Sequence, residues 1–150
     1  MTQPLSNVLI HTVFSTKNRE SLFKDPALRT ETHSYLAGAA KTLDCFPISI
    51  GGVEDHVHLL TTLSRTMTIA DFIKETKRVT TLWLKKEKRI ENFQWQAVYG
   101  CFSVSESKKE SVIQYINNQE EHHKTMTFQD EYRRIYEKYR VNLDEKFVWE

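Results

Sequence analysis

The strongest constraint in this sequence is the order in which two hydrophobic spacings alternate along it. Asn7 to Ser15 is rich in Val, Ile, Thr and Phe and predicts a strand. From Pro26 to Leu43, Leu28, Tyr35, Leu36, Ala39 and Leu43 form a helical stripe, with Pro26 suited to its first turn. Phe46 to Ile50 is a short apolar run that ends at the turn signal Gly51-Gly52, and His56 to Leu63 predicts its partner strand. Ile69, Phe72, Ile73, Thr76, Val79 and Trp83 mark a second amphipathic helix, with Lys74, Lys77, Arg78 and Lys85 on its other side. Phe93 to Val104 is aromatic and β-branched around Gly100 and predicts one bent strand or two short ones. A helix is expected from about Ser107, with Ser107 as N-cap and Glu110 three residues on, to about His123. A last helix covers Phe128 to Tyr139. The order β-α-β-β-α-β plus C-terminal helices predicts an α+β fold: a ferredoxin-like antiparallel sheet with helices on one face and further helices after it.

Composition narrows the function classes. With 150 residues, 39% hydrophobic and 27% charged, the chain reads as one globular domain over 1–150 with a real core. No apolar run reaches the roughly 18 residues of a membrane span, and Met1-Thr2-Gln3-Pro4 does not open a secretory signal, so the cytoplasm is the expected address. Cys45 and Cys101 lie far apart and outside any CxxC, which argues against a disulfide framework or a thiolate metal site. The net charge of +1 excludes a global field for polyanions. Between Lys74 and Arg89, however, seven basic residues face two acids, a local +5. Taken alone, such a run is better read as a solvated helix face.

His56-Val57-His58 is the sharpest chemical feature. On a strand, residues i and i+2 leave the same face, so both imidazoles point one way while Val57 packs inward. Two neutral imidazoles are a natural pair of ligands for a divalent ion. The ordinary alternative is an exposed histidine pair, but Gly51-Gly52 before it and Leu59-Leu60 after it set the pair in a buried hairpin strand. Leu59-Leu60-Thr61-Thr62 follows and HExxH is absent, which disfavours a hydrolytic zinc site. Tyr115 and Gln119 lie one helical turn apart, beside the apolar arc of Val112, Ile113 and Ile116. A Gln at that position needs a partner for its amide, and a metal ion would be one. An isolated YxxxQ would otherwise be a packing aromatic and a surface amide. His122 and His123 read as surface or capping residues near a helix end.

Together these segments resemble a known family. Ile10-His11-Thr12-Val13-Phe14-Ser15-Thr16-Lys17-Asn18-Arg19, Gly51 to Leu60 with His56-Val57-His58, Phe93 to Val104, and Tyr115 to His123 are similar to the single-tyrosine HUH transposases of small insertion sequences. These are the IS-two-hundred and six-hundred-and-five group, with relatives associated with repetitive extragenic palindromes. The likeness runs from about Asn7 to Tyr139. Val98 stands where the family often has Gly, and Thr80-Thr81 where a Ser pair is common.

The resemblance implies an HUH endonuclease fold and a transesterase acting on single-stranded DNA with hairpin ends. It implies Tyr115 as nucleophile, His56, His58 and Gln119 as ligands of Mg²⁺ or Mn²⁺, and a 5′-phosphotyrosine intermediate. It also implies a homodimer whose tyrosine helix commonly completes the partner's site, with Ser105 to Lys109 suited as a hinge. The expected setting is the cytoplasm of a bacterium or archaeon, at the nucleoid when DNA is bound. Lys74, Lys77 and Arg78 become candidate phosphate contacts, with Lys17 and Arg19 as weaker ones. Two rivals carry the same motifs: a domesticated hairpin-binding protein without transposition activity, and a small metal-dependent hydrolase that forms no covalent DNA adduct. The intact set of His56, His58, Tyr115 and Gln119 favours the transposase, because a pure binder could lose Tyr115 without penalty.

Overall fold

The computed structural model describes residues 5–145, 148 and 149. The β-branched and aromatic segments form strands β1 (Leu9–Ser15), β2 (Pro47–Gly52), β3 (His56–Thr62) and β4 (Gly100–Val104). They join in one antiparallel sheet of order β2-β3-β1-β4. Helices α1 (Pro26–Thr42) and α2 (Ile69–Lys86) connect β1 to β2 and β3 to β4, which is the ferredoxin-like order. Helices α3 (Lys109–Asn117), α4 (Gln119–His122) and α5 (Phe128–Lys138) follow. Local chemistry sets the helix starts. Asp25 accepts from the Ala27 amide ahead of Pro26, Thr68 from the Asp71 amide, and Thr127 from the Asp130 amide.

Period-two alternation divides the sheet into two buried faces. Ile10 and Phe14 of β1, with Val57 and Leu59 of β3, pack against α1 and α2 through Leu36, Ala40, Phe72 and Leu84. Leu9, Val13 and Leu60 point the other way, onto Ile116 of α3 and Phe128 and Tyr132 of α5. The C-terminal helices thus cover the face that the β-α-β-β-α-β unit leaves open. His56 and His58 are on that second face, buried beneath the C-terminal helices rather than at the surface. Among the described residues, no helix is long and apolar enough to cross a membrane.

Three local expectations differ from the structure. Only Gly100–Val104 of the Phe93 to Val104 segment joins the sheet; upstream, a single bridge links Trp95 to Thr16. The aromatic content there serves packing, since Phe93 and Trp95 sit edge-to-face and both belong to the core around Phe14 and Phe23. The helix expected from Ser107 starts as a 3-10 turn at Glu106–Lys108, and the Ser107 hydroxyl pairs with that of Ser105 (3.0 Å) instead of capping. That helix is also interrupted at Asn118, between α3 and α4.

His33 on α1 gives a stability signature. Burial, with Arg29 nearby, lowers its pKa to about 4, and its Nε2 has no hydrogen-bond partner. Between about pH 6.5 and 4 the unfolded chain therefore binds a proton that the folded chain does not. This contribution is complete above pH 6.5 and is lost as the pH falls towards 4, at up to about 1.4 kcal/mol per unit. Denaturant titrations of His33→Gln should show a shallower loss of stability than the parent over that window. Parallel curves would contradict this reading.

Candidate active site

His56 and His58 leave β3 on one face, with ring centroids 5.2 Å apart, and both are fully buried. Each ring is held from behind. Asp55 Oδ1 accepts from His56 Nδ1 at 2.7 Å, and His58 Nδ1 lies 2.9 Å from His11 Nε2 of β1. A second hydrogen bond of this kind fixes a ring's tautomer and aim, so the Nε2 atoms point forward together. What they meet is a carboxylate: Glu131 Oε1 of α5 lies 3.2 Å from His56 Nε2 and 3.0 Å from His58 Nε2.

Tyr115 and Gln119 arrive from above. The interruption at Asn118 keeps their spacing, with Gln119 Nε2 3.4 Å from the Tyr115 carbonyl oxygen. Gln119 is 1% exposed, and its amide is paired as a buried amide must be. Its Oε1 accepts from His56 Nε2 at 3.1 Å, and its Nε2 donates to Glu131 Oε2 at 3.0 Å. The Tyr115 hydroxyl donates to the same Glu131 Oε2. Both residues therefore meet the histidines of their own chain.

Glu131 is the residue that sequence reasoning missed. It is 1% exposed, and besides the four groups above it is approached by His123 Nε2 at 3.0 Å and His122 Nε2 at 3.3 Å. His123 also bonds Gln119 Oε1 at 3.1 Å and the Met126 carbonyl oxygen at 2.7 Å, so it belongs to the site rather than to the surface. A signal was present. Phe128, Tyr132, Ile135 and Tyr139 form the apolar stripe of the last helix, and Glu131 occupies a position inside it.

The electrostatics follow from this crowding. Burial disfavours charge on His56, but its hydrogen bonds to Asp55 and Glu131 outweigh that and raise its pKa to about 9. Burial holds His58 below the usual histidine value, and burial together with His58 lowers His11 to about 3. Burial opposes the Glu131 charge, yet His58, His123 and His56 hold its carboxyl far below the carboxylate range. Burial and the Glu131 charge push Tyr115 upward, and Arg134 opposes that rise. The donor set suits a divalent ion. His56, His58 and Glu131 each offer one ligand atom, and these atoms lie within 4.8 Å of one another, with the Gln119 oxygen alongside.

The candidate DNA contacts lie elsewhere. Lys74, Lys77, Arg78 and Lys85 line a groove of about 490 Å³ with Gln94 to Ala97, on the α2 side of the sheet and across it from Tyr115. Lys74 is exposed, Arg78 is exposed but paired with Glu75 at 2.7 Å, and Lys77 is half-buried. Lys77 donates to the Gln96 carbonyl oxygen at 2.8 Å and lies over the Phe14 ring, and burial lowers its pKa to about 8. Lys17 is exposed in a 3-10 turn after β1, and Arg19 sits over the Trp149 ring at 5.7 Å.

A ferredoxin-like sheet with His-apolar-His on an inner strand, overlaid by a tyrosine-bearing helix, is the HUH arrangement. The chain belongs to the family described as "Transposase IS200 like", whose model matches residues 4–119. Two solved structures share the fold. One is described as a candidate transposase from Deinococcus radiodurans R1 (22% identity, TM-score 0.61, covering 79% of this chain and 98% of that one). The other is a REP-associated tyrosine transposase bound to a REP hairpin (12% identity, TM-score 0.60, covering 82% of this chain and 72% of that one). No curated protein sequence matches the chain. The family match ends at Gln119, so α5 with Glu131 lies beyond it.

Gly51 sets how close Tyr115 can come. It pairs with His58 in the sheet, and a Cβ at this position would meet the Ile116 carbonyl oxygen at 2.4 Å. The absence of a side chain therefore lets α3 lie directly on β2. Gly51→Ala should destabilise the fold by about 1–3 kcal/mol in chemical denaturation, the usual cost of overpacking. An unchanged midpoint would show that α3 can move off β2 freely.

Proposed function

We propose that this transposase cuts and rejoins single-stranded DNA at hairpin-flanked ends, with Tyr115 as the nucleophile. His56, His58 and Gln119, joined by Glu131, would hold Mg²⁺ or Mn²⁺. The observation that carries this reading is the convergence of the Tyr115 hydroxyl, two imidazoles and the Gln119 amide on one buried carboxylate. A hydrolase has no need of a tyrosine hydroxyl there. The solved relative's hairpin supports the choice of hairpin DNA as partner. Family membership supports a homodimer acting at the nucleoid in the cytoplasm.

The chemistry is a transesterification. Tyr115 Oη attacks the scissile phosphorus and the bond from phosphorus to the 3′-oxygen breaks, leaving a 5′-phosphotyrosine and a free 3′-hydroxyl. The phenolic proton ends on the departing 3′-oxygen, and Glu131 Oε2, which accepts the hydroxyl's hydrogen bond, orients the nucleophile. The phosphodiester energy is kept in the adduct, so another 3′-hydroxyl can reverse the step and join without ATP. When bound, a divalent ion offsets the Glu131 charge beside the phenol and stabilises charge on a non-bridging phosphate oxygen. His11 and Asp55 keep the two rings aimed forward, and Glu131 has one oxygen towards the imidazoles and the other towards Tyr115.

Incubation with single-stranded DNA from the gene's flanks and Mn²⁺ should give a protein–DNA adduct on a denaturing gel. Tyr115→Phe should abolish it and His56→Ala should weaken it strongly. Tight hairpin binding without an adduct would point to the domesticated binder, and cleavage that survives Tyr115→Phe would make water the nucleophile. In calorimetry, Glu131→Gln should weaken Mn²⁺ binding by about tenfold or more. Unchanged affinity would remove Glu131 from the ligand set.

A further inference from the structure

The main cations that the sequence offered for DNA, Lys74, Lys77 and Arg78, lie on α2, across the sheet from the nucleophile. The phosphate that Tyr115 attacks still needs positive charge close by. A cavity of about 310 Å³ opens between α3 and α5, lined by His11, Tyr115, Glu131, Arg134, Lys138 and Tyr139, among others. Glu131, Arg134 and Lys138 follow one another at i, i+3 and i+7 and so share a face of α5. Arg134 and Lys138 are exposed, and among the described residues neither forms a hydrogen bond or an ion pair. Their neighbour Arg133 differs: it is bound to Asp130 at 3.1 Å and to Glu145 at 2.7 Å. Two unpaired cations one turn apart, opening onto a tyrosine hydroxyl, form a cradle for a phosphodiester. The cavity is near the lower limit of ligand sites, the size for one nucleotide unit rather than a duplex.

We propose that the cavity between α3 and α5 seats the scissile phosphodiester, with Arg134 and Lys138 binding its non-bridging oxygens beside Tyr115. The proposal rests on Tyr115 being the nucleophile and adds two phosphate-binding residues, Arg134 and Lys138, that lie beyond the family match. The single strand thus enters from the α5 side, while the groove on α2 is free to hold DNA farther from the cut.

The test uses the full chain and single-stranded oligonucleotides from the gene's flanks. In a Tyr115→Phe background, which removes the chemistry, the salt dependence of binding is measured for the double variant Arg134→Ala/Lys138→Ala. Each lost phosphate contact to a single strand lowers the log–log slope by about 0.7, so a drop of about 1.4 is expected. Arg133→Ala should leave the slope unchanged, and Arg134→Lys in place of Arg134→Ala should recover about half of the drop. With Tyr115 intact, the double variant should form adduct at least about tenfold more slowly at saturating DNA. If the unmodified protein forms the adduct and the double variant matches it in rate and slope, the subsite is wrong and the function stands. If no adduct forms at Tyr115 but the slope still drops by about 1.4, the phosphate cradle stands and the nucleophile assignment fails.

Discussion

The site is organised around one buried charge. Glu131 is nearly inaccessible, and an unpaired carboxylate in such a place would cost several kcal/mol. It is paid for by a dense shell: His56, His58 and His123 at 3.0–3.2 Å, the Gln119 amide, and the Tyr115 hydroxyl. Those partners come from β3, α3, α4 and the turn after α4, so one carboxylate on α5 ties the histidine strand to the C-terminal helices. Such a cluster favours a single arrangement of its members, because removing one partner leaves the others buried without compensation.

The same interaction explains why the sheet is covered twice. A ferredoxin-like unit with two helices on one face leaves the other face open, and here that face carries His11, His56 and His58 among apolar side chains. Exposed, these rings would be ordinary histidines. Covered by α3 and α5, they become a preorganised set whose aim is fixed from behind by Asp55 and His11. Gly51 allows the close approach of α3, and Phe128 and Tyr132 anchor α5 on Val13 and Phe102. Packing thus brings the tyrosine to the histidines, and the charge of Glu131 holds it there.

Much of this was legible from residue spacing. Period-two and helical patterns give the strand and helix order, and the His-Val-His triplet on a buried strand announces a polar purpose. A glutamine beside an apolar arc demanded a partner, and the Gln119 amide has three among side chains. The illegible parts share a cause: local patterns do not report tertiary context. Phe93 and Trp95 resemble strand residues because aromatic side chains suit both a ladder and a core, and here they fill the core. His122 and His123 lie at a helix end, where exposure is the usual fate, and only the return of α5 brings them to Glu131. Glu131 itself looked like one acid in a charged helix, although it interrupts the apolar stripe at a position that faces the sheet.

The central claim is that Tyr115 becomes covalently joined to DNA within this cluster. The most direct measurement is mass spectrometry of the adduct after nuclease and trypsin digestion. The peptide Glu110 to Lys124 contains Tyr115 as its only tyrosine. The account predicts this peptide carrying a nucleotide through a 5′-phosphate on Tyr115. A nucleotide on another residue would contradict it.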